Sequence, residues 1–308
     1  MKKSFRSALL LLGFNRPEKM RFFLNALVPT QLKNRNLYVS VDGPRNDSEK
    51  PLVQEVITLI REYAAQHQLP ITVWTEKNNL GCKLSVSGAI SKVLNQEETV
   101  IVLEDDCVPS ASFIPFCDTL LERYLDDTSV MHISGSNLRH EPVDIQASYY
   151  FSNYPLIWGW ATWKRAWKDY DPYIKSWNDH KAAFMKLTHF PNTAKNWALK
   201  LQRARDNSLD TWDFQWLYTI LINQGACVTP KFNMVQNIGF DQSATHSFAR
   251  FVSSPYSNLP RLESDQTMQH PKKIISDTQL DKAYELTLDR YTFFRLKDFI
   301  YHNILRKH

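Results

Sequence analysis

Between Ser7 and Leu103 short apolar runs alternate with longer stretches of helical periodicity, and this alternation restricts the fold more than any other feature. Ser7 to Gly13 is an apolar run, and Pro17 follows at a helix start, where its missing N–H costs nothing. Asn36 to Val41 ends at the turn cluster Asp42-Gly43-Pro44. Ser48 to Gln68 carries Val53, Val56, Ile57 and Ile60 at helical spacing. Ile71 to Trp74 reads as a third strand, and Val86 to Leu94 lies on the next helix. Thr99 to Leu103 is β-branched and has no polar face, as a strand covered on both sides must be. The expected fold class is α/β: an open, mostly parallel, Rossmann-like sheet flanked by helices.

The second half is less regular. Val130 to Ser134 reads as a strand that ends at Gly135. Trp158-Gly159-Trp160-Ala161-Thr162-Trp163 reads as the start of an aromatic helix. Ala194 to Arg205 and Thr211 to Asn223 are expected helices, with Gly225 as C-cap of the second. Asn237 to Leu262 is polar and low in pattern, as a long loop or lid would be, and Thr278 to Arg306 returns to helix. The C-terminal part is therefore helix-rich, and no linker cuts the chain into independent domains.

Hydrophobic residues make up 43% of the 308 and charged residues 22%, enough for a packed core and against wholesale disorder. The net charge of +5 contains no basic block of the kind that forms a nucleic-acid arm, so no nucleic-acid partner is expected. Cys82, Cys107, Cys117 and Cys227 form no CxxC pair, which suits reduced thiols in a cytosolic protein. No GxGxxG or GKT/GKS loop occurs, against a dinucleotide dehydrogenase or a P-loop NTPase. The Met1-Lys2-Lys3 start superficially resembles a signal peptide. Asn15-Arg16-Pro17-Glu18 stands where a small-residue cleavage site belongs, so a buried first strand is the better reading. No stretch approaches the ~20 apolar residues of a spanning helix. The Trp residues between Trp158 and Trp216 suit either a sugar-stacking platform or a core.

Open α/β sheets bind ligands beyond the carboxyl ends of their strands. Asn15-Arg16, Asp42 and Glu104-Asp105-Asp106 each stand directly after a strand and are the candidates. Three adjacent acids after a buried strand repel one another and demand solvation. Mg²⁺ or Mn²⁺ relieves that cost, because such ions take hard oxygen ligands and need only one or two carboxylates. The bland alternative is a solvated turn that caps the helix from Ser112. Asn79, Gly81 and Lys83 form a turn before a helix, where N–H groups and a lysine can meet phosphate.

Val102-Leu103-Glu104-Asp105-Asp106, followed by Pro109, Phe113 and Phe116, resembles the metal motif of GT-A-fold glycosyltransferases, in the form carried by the N-acetylglucosaminyltransferase I group. The resemblance runs from Arg16 to His246. It implies that Arg16 and Asp42 hold the uracil ring, that Asp106 contacts the metal, Asp105 the ribose and Glu104 the donor sugar. Thr211-Trp212-Asp213, followed by Gly225, Pro230 and Gly239-Phe240, resembles the family's WD segment, which places Trp212 at the donor site and makes Asp213 the general base. A base opposite the departing diphosphate implies one in-line displacement with inversion. His246, in Ala244-Thr245-His246-Ser247, matches a His near the diphosphate that can ligate metal. The Golgi members' membrane anchor and stem are not expected here. The WGWATW run and Asn237-Ile238-Gly239-Phe240-Asp241 look instead like bacterial relatives that build surface polysaccharide.

The resemblance thus implies a metal-dependent, inverting glycosyltransferase (hexosyl- or N-acetylhexosaminyl-) that uses Mn²⁺ or Mg²⁺, a UDP-sugar donor and a saccharide or lipid-linked saccharide acceptor. Residues 1–135 are the expected nucleotide-sugar-binding half, 136–277 the acceptor and base half with its lid, and 278–308 a C-terminal amphipathic helix, all within one GT-A domain. From 289 onward that helix mixes Arg290, Arg295, Lys297, Arg306 and Lys307 with aromatic residues. It suits either packing on the domain or peripheral contact with an anionic inner membrane face. Two other readings share parts of the pattern: a sugar-phosphate nucleotidyltransferase, and a carbohydrate-binding protein without catalysis.

Overall fold

The computed structural model describes residues 5–240, 256, 259–264 and 267–289. Its strands are β1 (Ala8–Gly13), β2 (Leu37–Val41), β3 (Ile71–Thr75), β4 (Thr99–Glu104), β5 (Cys107–Pro109), β6 (Val130–Ser134), β7 (Tyr149–Ser152), β8 (Trp160–Trp163), β9 (Ala226–Pro230) and β10 (Val235–Asn237). The α-helices are α1 (Pro17–Ala26), α2 (Pro29–Leu32), α3 (Lys50–Gln66), α4 (Gly81–Leu94), α5 (Phe113–Arg123), α6 (Lys164–Trp167), α7 (Trp177–Phe184), α8 (Pro191–Arg205) and α9 (Asp213–Ile222), followed by a helix at 278–289.

Eight strands form one sheet in the order β3-β2-β1-β4-β8-β6-β9-β7, and β5 pairs with β10 in a separate ladder. The pairs β3–β2, β2–β1, β1–β4 and β6–β9 are parallel, whereas β8 and β7 run against their neighbours. This is the open, mostly parallel, helix-flanked sheet expected from the alternation of strands and helices in the sequence. The chain proceeds outward from β1 through β2 to β3, then crosses back to place β4 on the other side of β1. Such a reversal opens a crevice at the carboxyl ends of the two central strands.

Both faces of the central strands are covered. Leu9, Leu11, Ile101 and Leu103 pack with Met20 and Phe23 of α1, Val53 and Val56 of α3, and Phe113 and Leu120 of α5. The alternate residues Leu10, Leu12, Val100 and Val102 pack with Val86, Ile90 and Val93 of α4 and with Trp216 and Ile220 of α9. Side chains along a strand alternate between faces, so a strand buried on both sides is apolar throughout. Each such side chain contributes roughly 1.5–3 kcal/mol on burial. Helix α9 uses two stripes: Trp216 and Ile220 face the sheet, while Leu217 and Leu221 meet Trp197 and Leu201 of α8 and Trp177 and Phe184 of α7.

Two expectations fail. Trp160–Trp163 is a strand, not the start of a helix. Trp160 packs on the α4/α9 side and Ala161 and Trp163 on the other, an alternation of two, and the ladder with β4 and β6 outweighs local aromatic spacing. The left-handed residue that ends α9 is Gln224 (φ 53°), not Gly225. The N–H groups of Gln224 and Gly225 close the helix on the carbonyls of Leu221 (3.1 Å) and Ile220 (2.9 Å). Gly225 serves another need: a Cβ there would lie 2.4 Å from Met131 Sδ. The tryptophans divide likewise in favour of the core, since Trp160, Trp163, Trp177, Trp212 and Trp216 are all fully buried.

The 278–289 helix packs on the domain through Asp281 and Glu285. Asp281 accepts from Ser152 Oγ (2.6 Å) and Asn153 N (3.1 Å). Glu285 accepts from the Tyr154 hydroxyl, from the backbone N–H groups of His189 and Phe190, and pairs with the His189 ring. The basic and aromatic residues from Arg290 onward lie outside the described residues. Among the described residues no helix is long and apolar enough to cross a membrane.

Candidate active site

The crevice between β1 and β4 holds the acidic triplet. Strand β4 delivers Glu104, Asp105 and Asp106 to its carboxyl end, and Arg16 stands just beyond the end of β1 as the residue before α1. The Arg16 fork spans two of the acids. It donates to both oxygens of Asp105 and, through Nη1, to Asp106 Oδ2 at 2.8 Å. Asp105 is 1% exposed and Asp106 14%, so the fork closes over the inner acid and leaves the outer one accessible.

One guanidinium does not neutralise three carboxylates. Glu104 is pushed up to about 8, by burial first and then by Asp106, with Arg16 opposing and Asp105 and Asp213 adding. Asp105 is pushed up to about 6 by burial, held back chiefly by Arg16. Burial opposes the charge on Arg16, but Asp105 and Asp106 outweigh it and hold the guanidinium protonated. The cluster therefore carries surplus negative charge that either a proton or a cation relieves. The donor set is carboxylate oxygen, which fits a hard divalent ion that completes its shell with water and phosphate. Among the described residues no group of three or more His, Cys, Asp or Glu side chains is placed to hold a metal ion. Cys107, next to Asp106, stays a protonated thiol because burial and the acids drive its pKa upward.

The β5–β10 ladder brings a later segment across the triplet. Ile238 N donates to the Asp106 carbonyl at 2.8 Å, and a Cβ on Gly239 would sit 2.5 Å from Asp106 Oδ2. Only glycine lets the backbone pass the carboxylate this closely. His246 falls outside the described residues.

Asp42, at the end of β2, is 7% exposed. Its Oδ1 accepts from Gly43 N (2.8 Å) and Leu80 N (2.9 Å), and its Oδ2 from Asn79 Nδ2 (2.9 Å). Burial raises its pKa against the opposing backbone N–H groups of Leu80, Gly43 and Gly81. Asp42 thereby ties the β2 end to the loop before α4.

The α4 start is not free for a phosphate. Asp210 accepts from Cys82 N and Lys83 N, both at 2.8 Å, and so occupies the helix N-terminus with a carboxylate of the chain itself. Lys83 is 4% exposed, and its ammonium donates to the Ala204 carbonyl (2.6 Å) and Asn207 Oδ1 (2.8 Å). It joins α4 to the end of α8 and is not brought to the acidic cluster. Trp212 is not at the cluster either: it stacks on Trp160 (5.2 Å between centroids) in the core.

Asp213 lines a cavity and is felt electrostatically at Glu104. It is the first residue of α9, with Oδ1 held by Thr211 Oγ1 and by Phe214 N at 2.9 Å. Oδ2 has no partner among the described residues. The residue lies on the wall of a cavity of about 210 Å³, lined also by Tyr154, Trp158, Trp197, Phe214 and Tyr284. Its charge is felt at Glu104, so the carboxylate and the triplet share one electrostatic environment. Ser136, on the same wall, went unremarked in the sequence. It follows the expected strand Val130–Ser134, and the strand-end rule that selected Arg16, Asp42 and Glu104 selects it too.

No family model matches the chain, and no curated protein sequence matches it. Solved structures do, at low identity. A mannosyltransferase, PcManGT from Pyrobaculum calidifontis in complex with GDP-Man and Mn²⁺, is 12% identical with a TM-score of 0.46, over 79% of this chain and 59% of that one. The galactosyltransferase LgtC, in complex with donor and acceptor sugar analogues, is 10% identical with a TM-score of 0.35, over 70% of each chain. A 4-diphosphocytidyl-2C-methyl-D-erythritol synthase from Anaerococcus prevotii is 9% identical with a TM-score of 0.38, over 74% of this chain and 89% of that one. These are likenesses of fold.

Proposed function

We propose that this chain is a metal-dependent glycosyltransferase that moves a hexosyl or N-acetylhexosaminyl group from a UDP-sugar to an acceptor hydroxyl with inversion, in the synthesis of a bacterial surface polysaccharide or glycoconjugate. The observation that carries the reading is the surplus negative charge at the β1/β4 crevice, clamped by Arg16 and felt together with Asp213, whose Oδ2 has no partner among the described residues.

Asp106, the accessible acid, would hold Mn²⁺ or Mg²⁺, with His246 as a further ligand. When bound, the ion neutralises charge that develops on a departing diphosphate. Asp105 and Glu104 are assigned to the ribose and the donor sugar, and Arg16 and Asp42 to the base. Arg16 and Asp42 are already bonded within the protein, so their support for a nucleotide is by fixing the crevice walls as well as by direct contact. Asp213 is assigned the acceptor proton. One oxygen is fixed by Thr211 and Phe214, which orients the other for proton transfer as the acceptor oxygen attacks the anomeric carbon. Lys83 and Trp212 have no direct part in this scheme. The acceptor is a saccharide, free or lipid-linked.

Titration calorimetry of the full chain with UDP, with and without Mn²⁺, tests the reading. Binding that requires the metal is expected, and no binding of UDP under either condition refutes it.

A further inference from the structure

A second cavity adjoins the one at Asp213. It measures about 310 Å³ and shares Leu138, Tyr154, Leu156, Tyr256 and Tyr284 with the first. The two differ in chemistry. The first is walled by aromatic rings, Trp158, Trp197 and Phe214 besides the two shared tyrosines that pack ring to ring at 5.3 Å. The second adds Asn137, Arg139, Tyr150, Thr229 and Asp281. Ligand sites of small molecules run to roughly 300–1,000 Å³, and neither cavity alone stands far inside that range.

The first cavity also contains an unsatisfied group. Ser136 is fully buried, its hydroxyl has no hydrogen-bond partner among the described residues, and it lies on the same wall as Asp213. A buried hydroxyl without a partner costs free energy; others occur in this fold, Trp160 Nε1 among them, but the Ser136 hydroxyl is the one that lines the same cavity as Asp213, where a ligand can satisfy it. Aromatic rings able to meet a C–H face, a carboxylate oxygen on Asp213 without a partner among the described residues, and an unpartnered hydroxyl line one cavity, and together they suit a pyranose. The polar neighbour with shared walls describes room for the next sugar.

We infer that the acceptor is recognised as at least a disaccharide, its reacting unit in the aromatic cavity against Asp213 and Ser136 and its second unit in the polar cavity beside Asn137 and Asp281. This rests on the glycosyltransferase reading for the role of Asp213, while the two-unit site stands on the cavities themselves.

Binding is measured on the full chain by tryptophan fluorescence and by saturation-transfer NMR, since Trp158 and Trp197 line the first cavity. The probes are lactose, cellobiose, maltose and N,N′-diacetylchitobiose against their component monosaccharides. At least one disaccharide is expected to bind about tenfold more tightly than its monomers, from contacts in the second cavity. Leu286 lines that cavity and is 41% exposed, so Leu286→Trp fills it from the solvent side. That variant is expected to remove the disaccharide advantage and leave monosaccharide affinity unchanged. Ser136→Ala is expected to keep or raise thermal stability, because it deletes an unsatisfied group, while weakening monosaccharide and disaccharide alike. Disaccharides that bind no better than monomers, an advantage that survives Leu286→Trp, or no sugar binding at all overturns the inference. Failure of UDP to bind sinks the transferase reading instead, and these sugar measurements need no donor.

Discussion

Asp213 combines two demands at one residue. As the first residue of α9 it suits the helix dipole, and a carboxylate there needs no catalytic reason. A capping role, however, uses one oxygen, and the one held by Thr211 and Phe214 serves it. Asparagine keeps that acceptor and loses the basic oxygen, so Asp213→Asn separates the roles. Turnover should fall by about 10²–10⁴, the span of general-base catalysis, while UDP affinity in Mn²⁺ stays within about twofold. Parallel loss of both, measured by nucleotide release and calorimetry, would make Asp213 structural. At Arg16 the sequence was readable for position and silent on partner. Its place after β1 followed from Pro17 and the apolar run, but the fork onto Asp105 and Asp106 arises only when β1 and β4 lie side by side.

At the level of elements, the segment between α8 and α9 is a strap. Asp210 caps α4, Lys83 of α4 reaches back to Ala204 and Asn207, and three residues after Asp210 the chain enters α9 at Asp213. Helix α4 thus fixes where α9 begins. Asp210→Ala should cost about 1 kcal/mol in urea unfolding, as helix caps do, and Asp210→Asn a smaller share because one acceptor remains. No change in either variant would show that water replaces the carboxylate without loss. Elements whose pattern depends on their own period were legible: β1 to β4, α3, α8 and α9 all fall where apolar spacing put them. Those decided by partners were not. Trp160–Trp163 is too short for its own period to decide, and the ladder with β4 and β6, to which Trp and Thr are well suited, makes it extended. Lys83 looked like a phosphate ligand because a lysine at a helix start is one in isolation, and nothing local announces a carboxylate arriving from 127 residues away.

At the scale of the whole molecule, His132 sets an acid limit. It is fully buried and stacked on Trp160, accepts from Trp216 Nε1 (3.1 Å), and its Nε2 meets the Leu156 carbonyl (3.2 Å). Burial pushes its pKa from 6.5 down to about 3. Between those values the unfolded chain binds a proton that the folded chain does not, so stability falls as the pH drops from 6.5, by up to about 1.4 kcal/mol per unit. Asp281, pushed from 3.8 up to about 6 by burial, acts in the opposite sense, and its contribution falls as the pH rises through that window. Urea unfolding of the parent chain and His132→Asn between pH 5 and 8 isolates the histidine. Their difference in stability should shrink as the pH falls below 6.5, and a constant difference would contradict the assignment. Finally, the order of the sheet bears on how the chain is made. Strand β4 is apolar on both faces, and its outer edge is covered by β8, which lies 60 residues or so further along. Until Trp160–Trp163 leaves the ribosome, a nascent β4 presents an open backbone edge to any neighbour, the condition under which chains associate wrongly. A fragment of residues 1–135 should therefore sediment as aggregates, whereas the chain through 230, which adds β8 against β4, α9 over the sheet face and β9 between β6 and β7, should suppress them; the last strand of this sheet to be made is inserted between two already present.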